Sequence, residues 1–271
     1  MSGQQHRSDP AILDRRTLRA DHRRLADLLR PGMRVLDVGC GTGAITRDIA
    51  EAVGPGGSVV GIDRDPAHVE RARAGAAAFL NLRFEAGDAT SLVYDAEFDV
   101  VTAARTLQWI ADAGRAVRQM ARAIAPAGRL VVLDYNHALN AWDPAPPAEF
   151  AAFYARFLAW RAANGWDNEM ADHVPALVAA AGLTDIRSDQ ADEISERDDP
   201  DFVQKTALWI EVIDNLGPTL CTAGVCDAAS LDAARRSYDA WRASELVRQT
   251  LSMKAIVAAA ATAPRATMRP D

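Results

Sequence analysis

The stretch Val35-Leu36-Asp37-Val38-Gly39-Cys40-Gly41-Thr42-Gly43 passes from an apolar run through spaced glycines into a helical pattern. Glycine lets the backbone turn tightly and approach a ligand with no side chain between, and the free N–H groups of the following helix face whatever sits there. Such a turn suits a nucleotide-like cofactor, and two chemistries fit it. Gly39, Gly41 and Ala44 satisfy the G-x-G-x-x-G/A spacing of a dinucleotide site, and Asp63 stands 20 residues after Gly43, where an acid for a ribose hydroxyl belongs. An NAD(P)-dependent oxidoreductase is therefore one reading. Against it, Asp37 places a carboxylate two residues before the first glycine, where an ammonium is welcome and a pyrophosphate is not, and Gly43 makes the turn G-x-G-x-G. Gly87-Asp88-Ala89-Thr90 follows a later apolar run, and a carboxylate there can accept the hydrogen bond of an adenine amino group.

The elements that must position these residues alternate. Helical periodicity from Asp14 to Arg30 puts Leu18, Leu25, Leu28 and Leu29 on one side, and Pro31-Gly32 stops it. Strands are expected at Met33–Val38, Ser58–Asp63, Leu82–Glu85, Phe98–Ala103 and Arg129–Asp134, with helices at Thr42–Val53, Pro66–Ala78 and Asp112–Ile124 between them. Short connections between alternating strands and helices imply an α/β fold with a parallel sheet covered on both faces. After a proline-rich connector, Ala148–Ala163 is a helix whose aromatics recur at spacings of three and four. A helix at Val174–Ala181, a strand near Leu183–Ser188, helices at Pro200–Leu216 and Ser230–Arg242, and a final strand at Val247–Ala258 complete the chain. The resulting organisation is an N-terminal helical segment (1–30), a cofactor-binding core (31–136), a helical lid or substrate insertion (137–176), completion of the α/β core (177–258) and a flexible tail (259–271).

Composition excludes several classes. Of 271 residues, 49% are hydrophobic and 25% charged, far from the disordered corner. A net charge of −7 gives no basic surface for nucleic acid phosphates. Three scattered cysteines make no disulfide framework or metal site, and no apolar run reaches membrane-spanning or signal-peptide length, so a cytoplasmic protein without metal or membrane contact is expected.

Together these motifs resemble the class I S-adenosylmethionine-dependent methyltransferases, in the small-molecule branch that includes the ubiquinone/menaquinone type. The resemblance covers residues 35–135. It implies a Rossmann-like, seven-stranded, mostly parallel sheet whose last strand is antiparallel, with a helical lid insertion and an N-terminal helix. It implies that Asp37, Gly39, Cys40 and Gly41 hold the methionine part of S-adenosyl-L-methionine (and of the product S-adenosyl-L-homocysteine), that Asp63 binds the ribose with Arg64 beside it, that Asp88 and Ala89 frame the adenine, and that Arg105 faces cofactor or substrate. The family often carries a leucine, two histidines, a hydrophobe and then an aspartate two positions later after its fourth strand. Here Leu107-Gln108-Trp109-Ile110-Ala111-Asp112 stands there, which removes any histidine chemistry at that place. Thr102-Ala103-Ala104-Arg105 likewise replaces the Asn/Asp-Pro-Pro-Tyr segment of base-methylating enzymes, so the acceptor is expected to be a small, partly hydrophobic or aromatic molecule bound by a monomer or homodimer.

Methyl transfer from a sulfonium needs orientation and water exclusion more than a protein nucleophile. If a base assists, the candidates are His137, Tyr154 and His173. Trp109, Phe153 and Trp166 are candidate substrate contacts, with plain packing the alternative for the aromatic helix. The arginines at 15, 16, 19, 23 and 24 are a solvated face or, alternatively, offer a guanidinium to an anionic acceptor. A rival reading is a protein that binds S-adenosylmethionine without transferring methyl, since fold does not fix function. The dehydrogenase reading lacks a Tyr-x-x-x-Lys pair: Asp201 and Thr250 stand four residues before Lys205 and Lys254.

Overall fold

The computed structural model describes residues 9–261. Along the chain run α1 (Pro10–Asp14), α2 (Leu18–Asp21), α3 (Arg23–Leu28), β1 (Arg34–Val38), α4 (Ala44–Val53), β2 (Ser58–Asp63), α5 (Pro66–Ala74), β3 (Leu82–Ala86), β4 (Phe98–Ala104), α6 (Ala113–Ala123) and β5 (Ile124–Tyr135). Then follow β6 (Ala141–Asp143), α7 (Ala148–Ala163), α8 (Met170–Ala180), β7 (Thr184–Gln190), β8 (Glu193–Glu196), α9 (Phe202–Thr206), α10 (Leu208–Thr222), α11 (Ala228–Ser244), β9 (Arg248–Leu251) and β10 (Met253–Ala259).

The seven-stranded sheet has the order β3-β2-β1-β4-β5-β10-β7, with β10 antiparallel to both of its neighbours. The chain leaves β1 toward β2 on one side and later returns to β4 on the other. This reversal opens a crevice at the carboxyl ends of β1 and β4, where an open α/β sheet collects ligands. Val35, Val59, Val100 and Val131 point to one face with Ile49 and Leu25, while Leu36, Val101 and Val132 point to the other with Met120 and Val174. Strands buried on both faces are why these segments read as continuous apolar runs.

Four expectations are corrected. The single helix from Asp14 to Arg30 is instead α1, α2 and α3. The Thr17 side chain caps α2 by accepting from Ala20 N (3.2 Å) while Thr17 N donates to Asp21 Oδ2 (2.7 Å), and His22 then takes an extended φ of −149°. Local side-chain bonds of this kind compete with helix continuation. The strand expected over Val247–Ala258 bends at Ser252 into β9 and β10, which belong to different sheets; Asn140 Oδ1 accepts from Ser252 N (2.8 Å) at the bend. The helix expected over Pro200–Leu216 is divided into α9 and α10. Finally, the segment from Glu193 to Leu251 does not complete the main sheet. Instead β6, β9 and β8 form a separate three-stranded antiparallel sheet, and α7, α10 and α11 share one aromatic core with it and with Leu133, Tyr135 and Met253 of the main sheet. In that core Phe150 packs on Tyr238 at 4.3 Å between ring centroids. Of the expected tail, Ala259 ends β10, and residues from 262 lie outside the described residues.

The short helix α1 bridges the two layers. Arg71 of α5 donates to Asp14 (Nε 2.9 Å), Arg15 just beyond α1 pairs with Glu211 of α10 (2.6 Å), and Asn215 of α10 donates to Asp9 (2.7 Å).

Candidate functional site

β1 delivers the glycine turn to the crevice with Gly39, Gly41 and Gly43 at φ +78°, +55° and +76°. A side chain at Gly39 would lie 2.3 Å from Thr106 Oγ1, and one at Gly43 would lie 2.5 Å from Phe84 Cζ. The turn's amides are engaged within the protein. Gly39 N and Cys40 N donate to Ile62 O (2.7 and 3.0 Å), Gly43 N to Cys40 O (2.9 Å), and Gly41 N to Asp63 Oδ2 (2.8 Å). The amides of Gly39, Cys40 and Gly43 are thus spent on backbone carbonyls, and that of Gly41 on the Asp63 carboxylate, so none of these four is bare. That carboxylate also accepts from Asp65 N (2.9 Å) and has His68 Nδ1 at 3.8 Å. Burial opposes its charge, but the His68 ring and the two amides outweigh burial and hold its pKa below the ordinary value. A diphosphate would meet a carboxylate here instead of bare N–H groups.

Asp37 lies beneath the turn, 5% exposed, accepting from Thr46 Oγ1 (2.7 Å). Neither Asp37 nor Cys40 reaches the crevice wall; Cys40 packs toward Val69, Ala72 and Phe84. Burial raises the Asp37 pKa to about 6, against the Thr46 bond, with Asp63 adding to the rise. Burial likewise raises Asp134, at the end of β5, to about 7. The folded chain holds protons on these carboxyls that the unfolded chain has already released. Their contribution to stability is therefore complete below 3.8 and is lost as pH rises through about 6 for Asp37 and about 7 for Asp134. Unfolding free energies from urea titrations across this window should rise toward acid relative to those of Asp37→Asn, by about 3 kcal/mol.

The crevice is a cleft of about 380 Å³. Gly39, Gly41, Asp63, Arg64, Asp88 and Ala89 line it, together with Arg105, Trp109 and Trp166. Asp88 Oδ1 accepts from Thr90 N and Thr90 Oγ1 (2.7 Å each). Burial raises its pKa, but these bonds, with Arg64 and Arg115 nearby, bring it below the ordinary value. Asp63, Asp65, Asp88 and Asp112 all line this cleft, a wall suited to a ligand that brings ammonium, sulfonium, hydroxyl and amino donors.

A second cavity of about 110 Å³ lies between the sheet edge and the aromatic layer. Its wall is largely apolar, with Ile12, Phe157, Trp209, Val212, Leu216 and Leu251, and it has Tyr135, Gln108 and His137 among its polar groups. Leu13, Arg16, Arg105 and Trp109 line both cavities.

Arg105, at the carboxyl end of β4 with φ +56°, is a bound platform. Its Nε donates to Tyr135 Oη (3.1 Å), Nη1 to Asp21 O (3.0 Å), and Nη2 to Glu193, with Asp21 Oδ1 at 3.6 Å. Burial alone would lower its pKa, but Glu193, Tyr135 and Asp21 keep it above the ordinary value. Behind Trp109, Arg161 is fully buried with its guanidinium 4.0 Å from the indole centroid; it donates to Asn168 Oδ1 (2.8 Å) and to Gln108 Oε1 (3.0 Å). An arginine only donates, so the Gln108 oxygen faces it, and the same oxygen takes a bond from His137 Nε2 at 2.5 Å. Burial, and then Arg161, keep His137 well below its ordinary pKa, so its ring is neutral with the proton on Nε2.

Of the other candidates, the structure brings neither Tyr154 nor His173 to a cavity. Tyr154 Oη donates to His137 O (2.6 Å) and accepts from Asn140, while exposed His173 pairs with Asp167 (2.6 Å), which raises its pKa. Phe153, 2% exposed, sits in the aromatic core away from both cavities; Phe157, one turn on, takes the lining position. Sequence reasoning missed Tyr135, Phe157 and Arg161 as members of the site. Arg161 had a visible signal: a charged residue four positions after Phe157, on the aromatic stripe.

Among the described residues no group of three or more His, Cys, Asp or Glu could hold a metal ion, and no helix is long and apolar enough to cross a membrane.

A family model described as "Methyltransferase domain" matches residues 29–176, more than half of the chain. A ubiquinone/menaquinone biosynthesis C-methyltransferase of Ectopseudomonas mendocina is 40% identical over 114 residues, covering 40% of this chain and 44% of the relative. A nocamycin O-methyltransferase of Saccharothrix syringae is 44% identical over 114 residues, 40% of each chain. The chain thus spans less than half the length of either relative. Among solved structures, the 4+2 cyclase SpnF shares the fold with a TM-score of 0.58 at 22% identity, covering 96% of this chain and 88% of that one. The matched segment contains the glycine turn, Asp63, Asp88, Arg105 and Trp166, and the chain belongs to the methyltransferase-domain family of class I S-adenosylmethionine-dependent enzymes.

Proposed function

We propose that the protein transfers a methyl group from S-adenosylmethionine to a small, partly apolar molecule held in the 110 Å³ cavity. The carrying observation is the shared wall: an acid-lined cleft at the carboxyl edge of the sheet meets an apolar pocket across Leu13, Arg16, Arg105 and Trp109. The cofactor supplies an electrophilic sulfonium methyl. Asp63 offers its remaining lone pairs to the ribose hydroxyls, Asp88 its second oxygen to the adenine amino group, and the Gly39 and Gly41 backbone allows close approach. Asp37 and Cys40 act from beneath the turn by fixing its shape. Trp109 and Trp166, edge to face at 5.2 Å, exclude water from the junction.

Alignment of donor and acceptor across the shared wall supplies the catalysis, roughly 7–11 kcal/mol in well-positioned systems. Neutral His137, tied to Gln108, shapes the pocket, and the proposal routes no proton through it. Parallel calorimetry with S-adenosylhomocysteine and NADH tests the cofactor, and labelled S-adenosylmethionine with a cell extract tests transfer. Binding of the homocysteine compound without NADH binding, together with label appearing in a small-molecule fraction, is the expected result. Tight NADH binding with no response to the other compound would refute the reading; cofactor binding without label transfer would favour a non-transferring protein.

A further inference from the structure

Arg16 lies in the connection between α1 and α2, half-buried, and lines both cavities. Unlike that of Arg105, which binds Glu193, Asp21 and Tyr135, its guanidinium has no hydrogen-bonded or ion-paired acceptor among the described residues. Burial disfavours its charge, as does Arg105, while Tyr135, Glu193 and Asp21 oppose this only in part. Removing a guanidinium from water next to a second one is costly unless something accepts its hydrogen bonds.

The neighbouring Tyr135 hydroxyl is in a related state. It accepts from Arg105 Nε (3.1 Å), so its own hydrogen must go elsewhere, and no protein oxygen among the described residues takes it. Burial raises the phenol's pKa, which keeps that hydrogen in place at neutral pH. Tyr135 lines the acceptor cavity but not the cofactor cleft. Asp9, the carboxylate on the acceptor cavity wall, is already engaged by Ala11 N and Asn215 Nδ2 (2.7 Å each). One corner of a largely apolar pocket therefore presents two donors with no hydrogen-bonded protein acceptor among the described residues.

We infer that the methyl acceptor is an apolar carboxylic acid whose carboxylate bridges the Arg16 guanidinium and the Tyr135 hydroxyl, which makes Arg16 a specificity-determining residue. This rests on the methyl-transfer reading above and narrows its substrate class. A carboxylate is the complement of a guanidinium fork plus one hydroxyl donor, and charge-assisted bonds of this type are the strong ones. With its carboxylate held there, the rest of the acceptor lies against Phe157, Trp209 and Leu251.

The test measures binding of benzoate and of benzamide, its neutral isostere, to protein saturated with S-adenosylhomocysteine. Benzoate should bind the unaltered protein about tenfold or more tightly than benzamide. Arg16→Met should abolish that preference, and an unchanged urea midpoint shows that the variant is folded. Arg16→Lys should restore part of it, and Tyr135→Phe should reduce it several-fold. Affinity for S-adenosylhomocysteine should remain within about twofold throughout. Absence of a preference in the unaltered protein, including no benzoate binding, overturns the inference. So does an Arg16→Met variant that loses affinity for the homocysteine compound and keeps the benzoate preference, because the guanidinium would then serve the cofactor's own carboxylate. If the unaltered protein fails to bind S-adenosylhomocysteine, the methyl-transfer reading fails instead, and the benzoate preference remains measurable in its absence.

Discussion

Replacing Asp63 by Ala is expected to weaken S-adenosylhomocysteine binding by about 100-fold, or roughly 3 kcal/mol. Two losses combine. The ribose loses a charged acceptor, and Gly41 N and Asp65 N lose the oxygens that hold the turn and the start of α5 in place. Asp63→Asn separates them, since its amide oxygen can still accept one backbone bond while the charge is gone. Its affinity should fall between those of the unaltered protein and Asp63→Ala. Calorimetry on the three proteins is the measurement, and equal affinities would remove Asp63 from the cofactor site.

Gly43→Ala is expected to lower stability by about 2–4 kcal/mol, read as a shift in the urea midpoint. The left-handed φ of +76° costs a non-glycine residue about 1 kcal/mol or more. The added methyl would also sit 2.5 Å from Phe84 Cζ and 3.1 Å from Ala72 Cβ, and overpacking a buried contact costs typically 1–3 kcal/mol. Phe84 is 4% exposed on β3 and cannot swing into solvent without opening the α5 side of the sheet. Phe84→Leu should therefore destabilise the unaltered protein but return part of the loss in the Gly43→Ala background, a coupling that a double-mutant cycle isolates. Strict additivity would mean that the strain lies in the backbone alone.

The strands from Arg34 to Tyr135 were legible from short-range pattern, as were the cleft-wall acids Asp63 and Asp88, whereas Arg64, Ala89 and Arg105 were reached only through the family resemblance. Doubly buried strands read as unbroken apolar runs, and acids that follow such runs fall at one sheet edge. The acceptor side was not legible in the same way. β6 and β8 are only three and four residues long and β8 alternates poorly, so the small sheet carries little periodic signal. The partner that engages Arg105, Glu193, lies 88 residues away, and without it nothing marks Arg16 as the arginine that remains available. Phe153 and Phe157 are equally aromatic and one turn apart on α7. Which of them meets the cavity depends on how α10 and α11 pack against that helix, which local periodicity does not encode.

The bend at Ser252 joins the small sheet to the main sheet, above and below the second cavity, by one unbroken piece of chain. β9 is laced to β6 and β8, and β10 to β5 and β7, so the aromatic storey cannot hinge upward without unzipping one ladder or the other. α1, which contributes Ile12 and Leu13 to the cavity walls, is fastened more loosely than either ladder. The latches there are exposed ion pairs of the sort worth at most about 1 kcal/mol each, which thermal motion releases readily.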